Sequence, residues 1–101
     1  MKVTVDLCVI PYGAGLSLSG HVADCIRLIE EAGLEHHLHA YGTDIEGEWD
    51  EVMAVVKRCH EVLHEKGVPR IATTLKIATR TDKTQSMADK VRSVEEKLAR
   101  G

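Results

Sequence analysis

The stretch Gly-Thr-Asp-Ile-Glu-Gly-Glu-Trp-Asp-Glu-Val, residues 42–52, predicts a tight turn, a short strand and a helix start within eleven residues. Its first two residues predict the turn, and residues 43–49 predict the strand. Asp50 is the expected cap of the helix. Because side chains alternate along a strand, an inward Ile45 sends Glu46 to the opposite face. A carboxylate beside a glycine on so short a strand indicates a binding site.

Around this stretch, apolar alternation predicts three more strands, at Lys2–Ile10, Leu34–Tyr41 and Arg70–Thr79. Apolar residues at helical spacing predict three helices. Ser17 or Ser19 is expected to cap the start of the first helix, and Gly33 to end it. Gly67 is expected to end the second helix, and the capping box Ser86-x-x-Asp89 to start the third.

The order strand–helix–strand, strand–helix–strand, helix is typical of a ferredoxin-like α+β sandwich, βαββαβ. A four-stranded antiparallel sheet then carries two helices on one face, and the C-terminal helix is additional. We expect residues 1–101 to form a single domain, because 101 residues suffice for one core.

Composition limits the classes of function. The net charge of −3 argues against a nucleic-acid partner, since such proteins normally present a basic surface. No apolar run approaches the about eighteen residues that span a bilayer, and no signal-peptide pattern follows Met1. We therefore expect a cytoplasmic protein without a membrane partner. The three cysteines have no CxxC spacing and are interpreted as buried free thiols.

The predicted sheet leaves one face without helices. Its carboxylates outnumber its lysine and leave negative charge for a cationic ligand, although a solvated face with ordinary cross-strand pairs is the alternative. The face is predicted to carry Thr4, Asp6, Cys8, His37, His39, Tyr41, Asp44, Glu46, Glu48, Thr74 and Lys76. The helix-covered face is predicted to carry Val3, Val5, Leu7, Leu38, Ile71 and Leu75.

Other motifs leave alternatives open. His37 and His39 share a strand face and can form a metal set with Glu46 or Asp6, and His60 and His64 have the i, i+4 spacing of metal ligands. A solvated surface is the favoured interpretation of both pairs, and we expect no metal.

Two further segments have the chemistry of anion sites. The Gly13-Ala14-Gly15 loop can present N–H groups to an anion, and Arg70, Arg80 and Lys83 can hold a phosphate. A plain connection and solvated side chains are the alternatives. The serines fall at helix starts and the cysteines on core stripes, so no nucleophilic constellation indicates an enzyme.

The last helix has an apolar stripe that the sandwich does not use. The stripe consists of Met87, Val91, Val94 and Leu98. It is expected to pack along the sheet edge or against a neighbouring subunit, and a homo-oligomer suits so small a domain.

Several motifs together resemble a known family. They are Val9-Ile10-Pro11 before a glycine loop, residues 42–53, Thr73-Thr74-x-Lys76-Ile77 with Arg80-x-Asp82, and Lys90-Val91-x-Ser93-Val94-Glu95. Their order and spacing over almost the whole chain resemble the small thiamine-binding protein family. The resemblance implies homotetramers built from sheet-to-sheet dimers, no further cofactor, and non-catalytic binding of thiamine or its hydroxymethylpyrimidine part in the cytosol. Here Ala78-Thr79 precede Arg80, where many members carry acidic residues.

The chemistry of such a ligand suggests roles for individual residues. Glu46 can face the thiazolium cation or accept from the amino group, and Tyr41 or Trp49 can stack on a ring, worth roughly 0.5–2 kcal/mol. Trp49 is equally well explained as a staple at the helix start. The predicted ligand-binding set is Asp6, Tyr41, Thr43, Glu46, Trp49, Thr74, Lys76 and Arg80. The alternatives are an oligomeric regulatory or interaction module with another small ligand, and a metal-binding protein.

Overall fold

The chain folds into four strands and three helices in a computed structural model that describes residues 1–13, 15 and 18–101. All neighbouring strands are antiparallel in the order β2-β3-β1-β4, which confirms the predicted ferredoxin-like α+β arrangement. Ala14 of the predicted loop and Ser17, one of two predicted caps, lie outside the described residues. The elements are β1 (Lys2–Tyr12), α1 (Ser19–Glu31), β2 (Glu35–His39), β3 (Gly42–Glu48), α2 (Trp49–Glu65), β4 (Arg70–Ala78) and α3 (Met87–Ala99).

The central strand β1 turns every second side chain toward α1 and α2. Val3, Val5 and Leu7 are buried on this helix-covered face, and Ile45 of β3 lies opposite Val5. Because the chain has no phenylalanine, the core between sheet and helices is aliphatic, as predicted. The two helices contribute Cys25, Ile29, Val52, Val55, Cys59 and Leu63 to it.

Gly47 allows β3 to approach the segment after α1. A Cβ at this position would lie only 2.7 Å from Cδ2 of Leu34, which is itself buried. Any larger residue at position 47 would therefore require the Leu34 side chain to move.

The cysteines are free thiols, as predicted, and two of them meet between α1 and α2. Cys25 and Cys59 are buried, while Cys8 is half-buried. The Cys25 thiol and burial together raise the pKa of the Cys59 thiol, so Cys59 stays protonated as a core residue.

Two predicted boundaries around β3 are wrong. The β2–β3 turn consists of Ala40 and Tyr41, because Gly42 and Thr43 are already held in the ladder, with Thr43 opposite Leu7. Asp50 is not the cap of α2, since the helix begins one residue earlier, at Trp49, whose N–H donates to the Met1 carbonyl at 2.8 Å.

α3 lies outside the sandwich. Its predicted capping box is confirmed: the Ser86 side chain accepts from the Asp89 N–H at 3.1 Å, and the Asp89 carboxylate accepts from the Ser86 N–H at 3.0 Å. Among the residues described in α3 none is buried, and Val91, Val94 and Leu98 are 58%, 58% and 74% exposed. None of the helices that the structure describes has the length and apolar character to span a bilayer.

The fully buried Ile45 supports a first prediction. Replacing Ile45 by Ala should lower the free energy of unfolding by about 2–5 kcal/mol, because the cavity lies between β1 and both helices. The matched control is Ile77→Ala on β4, where the side chain is 43% exposed and the loss should be about 1 kcal/mol or less. Urea denaturation measures both, and equal losses would contradict this core.

Candidate functional site

β1 extends beyond its pairing with β3, and this leaves a gap beside the sheet. The β1–β3 register ends at Leu7 and Thr43, whereas β1 continues to Tyr12 and stays paired with β4 throughout. The β2–β3 turn lies where the pairing stops. Side chains from the first half of α1 border the same gap.

A cavity of 240 Å³ occupies this gap on the helix-covered side, and we call it the ring pocket. Its wall is mostly apolar, and only a few polar groups reach it, which is typical of sites for flat organic ligands. The apolar part of the wall includes Val9, Pro11, Val22, Cys25, Leu38 and Leu63.

His21 and Thr43 supply polar groups to the ring pocket. Nδ1 of His21 is buried and has no hydrogen-bond partner among the residues that the structure describes. Such a group costs about 1–3 kcal/mol unless a ligand or water satisfies it. Thr43 is 5% exposed on β3. Two polar side chains therefore lie in the otherwise mostly apolar wall of the pocket.

Two carboxylates and an imidazole cluster on the sheet face without α1 and α2, and of the three residues only His39 also lines the ring pocket. His39 Nε2 lies 3.0 Å from Asp6 Oδ1 and 3.3 Å from Asp44 Oδ1, and the two aspartates are cross-strand partners. The Tyr41 N–H donates to His39 Nδ1 at 3.3 Å. With Nδ1 accepting, neutral His39 carries its proton on Nε2 and donates toward the carboxylates. The two negative charges are thereby held close together.

Gly42 makes room for this cluster. A Cβ at position 42 would lie 2.9 Å from Asp6 Oδ1 and 2.7 Å from the Leu7 carbonyl oxygen. Gly42 and His39 also line the ring pocket, whereas Asp6 and Asp44 do not.

The cluster differs from the metal set that the sequence suggested. Its ligand atoms come from Asp6, His39 and Asp44 and lie within 4.8 Å of one another, without His37 or Glu46. A metal ion needs the lone pair of Nε2, whereas the Tyr41 N–H favours the tautomer that has a proton there. The contacts therefore favour hydrogen bonding over metal binding.

Half of the predicted ligand-binding residues share the face without α1 and α2, which we call the open face. Asp6, Thr74 and Lys76 lie on it as predicted, with Asp6 opposite Lys76 in the β1–β4 register. Glu46 lies on the same face, opposite Thr4. Of these four, only Asp6 belongs to the cluster with His39 and Asp44.

Glu46 is almost completely covered by the first turn of α3. It is 8% exposed, and its Oε2 accepts from the Met87 N–H at 3.0 Å. Met87 is the first residue of α3, whose amide has no acceptor within the helix. Glu46 therefore holds α3 against the sheet, beside a groove of 710 Å³ between α3 and the β2–β3 pair.

The other four predicted residues lie elsewhere. Thr43 is on the helix-covered face, and Tyr41 is in the turn and 86% exposed instead of on the open face with the histidines; both line the ring pocket. Trp49 packs against the core at the start of α2, which agrees with the staple interpretation. Arg80 follows β4 and forms two 2.7 Å hydrogen bonds to the Asp82 carboxylate.

His60 and His64 are engaged separately and do not converge on one point. His60 Nε2 contacts Thr73 Oγ1, and His64 Nδ1 donates to the Val68 carbonyl at 2.8 Å. These contacts connect α2 to β4 and to the segment before it.

His21 is the site residue that the sequence reasoning missed. It lies four residues before Cys25 and eight before Ile29, so it belongs to the same helical stripe. His21 is missed when only apolar residues are considered at helical spacing. A histidine at a position expected to face the core was the feature that could have identified it.

Comparison with known proteins gives one consistent result. Residues 5–95 match the family model described as thiamine-binding protein. The UPF0045 protein sll0230 of Synechocystis sp. is 56% identical over 94% of this chain and 78% of its own length. The UPF0045 protein ECM15 of Eremothecium gossypii is 45% identical over 98% of this chain and 95% of its own.

Solved structures agree with the fold. The crystal structure of the hypothetical protein MJ1052 from Methanocaldococcus jannaschii has a TM-score of 0.85 at 32% identity and covers 94% of this chain and 97% of its own. A Thermotoga maritima protein, provisionally assigned to thiamine biosynthesis or salvage, has a TM-score of 0.78 at 26% identity, with coverage of 93% and 99%.

The contact between Glu46 and α3 leads to a second prediction. Glu46→Gln keeps an acceptor but removes the charge, so it should lower the free energy of unfolding by about 1 kcal/mol and speed hydrogen exchange at the Met87 amide. The control Glu48→Gln removes an exposed charge paired with the N-terminal amine and should leave exchange in α3 unchanged. Unchanged exchange in Glu46→Gln would contradict the anchoring role.

Proposed function

The chain belongs to the family of thiamine-binding proteins, and on this premise we propose that it binds thiamine, or the hydroxymethylpyrimidine part of it, without catalysing a reaction. We assign the ligand to the ring pocket. The observation that carries this assignment is an apolar cavity whose wall includes His21, with an unpartnered Nδ1, and His39, which contacts two carboxylates.

The pyrimidine part of the ligand matches the ring pocket. An aminopyrimidine is flat and carries an amino donor and two ring-nitrogen acceptors. His21 Nδ1 and the Thr43 hydroxyl can each bond to one of these groups, while the aliphatic wall covers the ring faces. Binding would thereby satisfy the buried nitrogen that lacks a partner in the described chain.

The cationic part of the ligand matches the carboxylates beside His39. Thiazolium carries a permanent positive charge, and Asp6 and Asp44 lie 3.0 Å and 3.3 Å from Nε2 of His39, a residue of the pocket wall. Lys76 is the cross-strand neighbour of Asp6 on β4 but forms no ion pair with it among the described residues. The Asp6 carboxylate is therefore available to a cationic ligand.

Assembly and location are further parts of the proposal. The exposed stripe of Val91, Val94 and Leu98 and the uncovered sheet face support assembly of the chain with its own copies, for which the family resemblance suggests a homotetramer. We assign the protein to the cytoplasm, where free thiols such as Cys25 and Cys59 persist.

A pair of matched variants distinguishes the ring pocket from the open face. Thr43→Val keeps the side-chain shape but removes the hydroxyl in the pocket, so calorimetry should find thiamine bound about three- to tenfold more weakly. Thr74→Val makes the same change on the open face and should alter the affinity less than about twofold. The reverse pattern would indicate that thiamine binds at the open face. If neither thiamine nor hydroxymethylpyrimidine bound at millimolar concentration, the proposed ligand would be refuted.

The role of the carboxylates is tested by charge. Asp44→Asn should weaken thiamine about fivefold or more, the effect of ~1 kcal/mol between charges near 4 Å in water, and leave neutral hydroxymethylpyrimidine nearly unchanged. Glu61→Gln, on the exposed surface of α2, removes one negative charge elsewhere and is the control. If Asp44→Asn weakened the binding of both ligands equally, the substitution would have altered the shape of the site. That result would contradict a role of Asp44 in recognising the cation.

A further inference from the structure

A small basic cavity lies at the opposite end of β1 from the ring pocket. It has a volume of 120 Å³ and receives lysines from three separate parts of the chain, Lys2 on β1, Lys83 after β4 and Lys90 on α3. This convergence of positive charge occurs in a protein whose net charge is −3. We call this cavity the lysine pocket.

The three lysines have no acidic partner in residues 1–13, 15 and 18–101. None of the ion pairs in that part of the chain includes Lys2, Lys83 or Lys90. Lys2 lies opposite Glu48 in the β1–β3 register, but the Glu48 carboxylate is 3.0 Å from the N-terminal amine. The nearest cross-strand acid is therefore already engaged.

Carboxylates near the other two lysines are engaged as well. Asp82 is held by Arg80 in a two-bond pair, and that guanidinium lowers the pKa of Asp82 to about 2. Asp89 accepts from the Ser86 N–H in the capping box and lies 3.1 Å from Arg92. Lys83 and Lys90 are left with only longer-range attraction to these acids.

Lys90 also lies where the helix itself disfavours a cation. It is in the first turn of α3, and its N–H bonds to the Ser86 carbonyl at 3.2 Å. Positive charge near a helix N-terminus opposes the helix dipole, and a bound anion would remove that cost. Thr4, Thr79 and Thr84 line the same cavity, and a threonine hydroxyl can donate a hydrogen bond to an anion.

We propose that the lysine pocket binds a phosphate group, either as free phosphate or as the monoester of a larger molecule. Three ammonium groups match a group that carries about −1.5 to −2 charges at pH 7, and the hydroxyls match its several acceptor oxygens. The site is independent of the ring pocket, since the two cavities share no residue. Its small size and the negative net charge of the protein exclude a nucleic-acid surface.

Calorimetry with inorganic phosphate at fixed, low ionic strength tests the proposal on the full chain. The unaltered protein should bind phosphate saturably, and the double variant Lys83→Gln with Lys90→Gln should bind it at least about tenfold more weakly. The matched control is the double variant Lys57→Gln with Lys97→Gln, which removes the same charge from exposed positions outside the cavity. Its affinity should stay within about twofold of the unaltered protein.

Two results would overturn the proposal: no saturable phosphate binding by the unaltered protein at millimolar concentration, or an equal loss of affinity in the control pair. Thermal unfolding of both pairs verifies that they fold, as expected for exposed lysines. Methyl phosphate, titrated in parallel, distinguishes the sources. Tighter binding of methyl phosphate supports a monoester, and tighter binding of inorganic phosphate supports the free ion.

Discussion

β1 is hydrogen-bonded to β3 on one side and to β4 on the other, and its register determines the position of almost every group discussed above. Val5 lies between Ile45 and Ile77, so the neighbouring Asp6 necessarily points to the open face, together with Asp44 and Lys76. A shift of one residue in either pairing would bury these charges and expose the core. The burial of an aliphatic face thus fixes the positions of the polar groups.

A cavity lies at each end of β1, and unequal strand lengths create the first of them. At one end β1 extends beyond the last residue paired with β3, and the unpaired part of β1 forms a wall of the ring pocket. At the other end, the chain after β4 and the first turn of α3 meet Lys2 in the lysine pocket. Lysine side chains line the second cavity, whereas the wall of the first is mostly apolar.

The fold and part of the site were predictable from local patterns. Strong alternation identified β1, helical spacing identified α2, and the period of two placed Asp6, Glu46, Thr74 and Lys76 on one face. Thr43 and Tyr41 were misplaced because a turn written as Gly-Thr is also a good strand start, and only the pairing with Leu7 decides between them. The contact of Glu46 with Met87 joins residues 41 positions apart, and no local pattern encodes it.

The attachment of α3 has a mechanical consequence. The helix has 13 residues, about 20 Å in length, and its first turn is fastened to the sheet through Glu46 while Val94 and Leu98 lie in solvent. A rotation of α3 about this contact therefore displaces its C-terminal end more than its first turn. A tilt of about 10° at this contact moves the far end by about 3 Å, given that length. The orientation of any surface that docks on α3 therefore depends on one buried carboxylate.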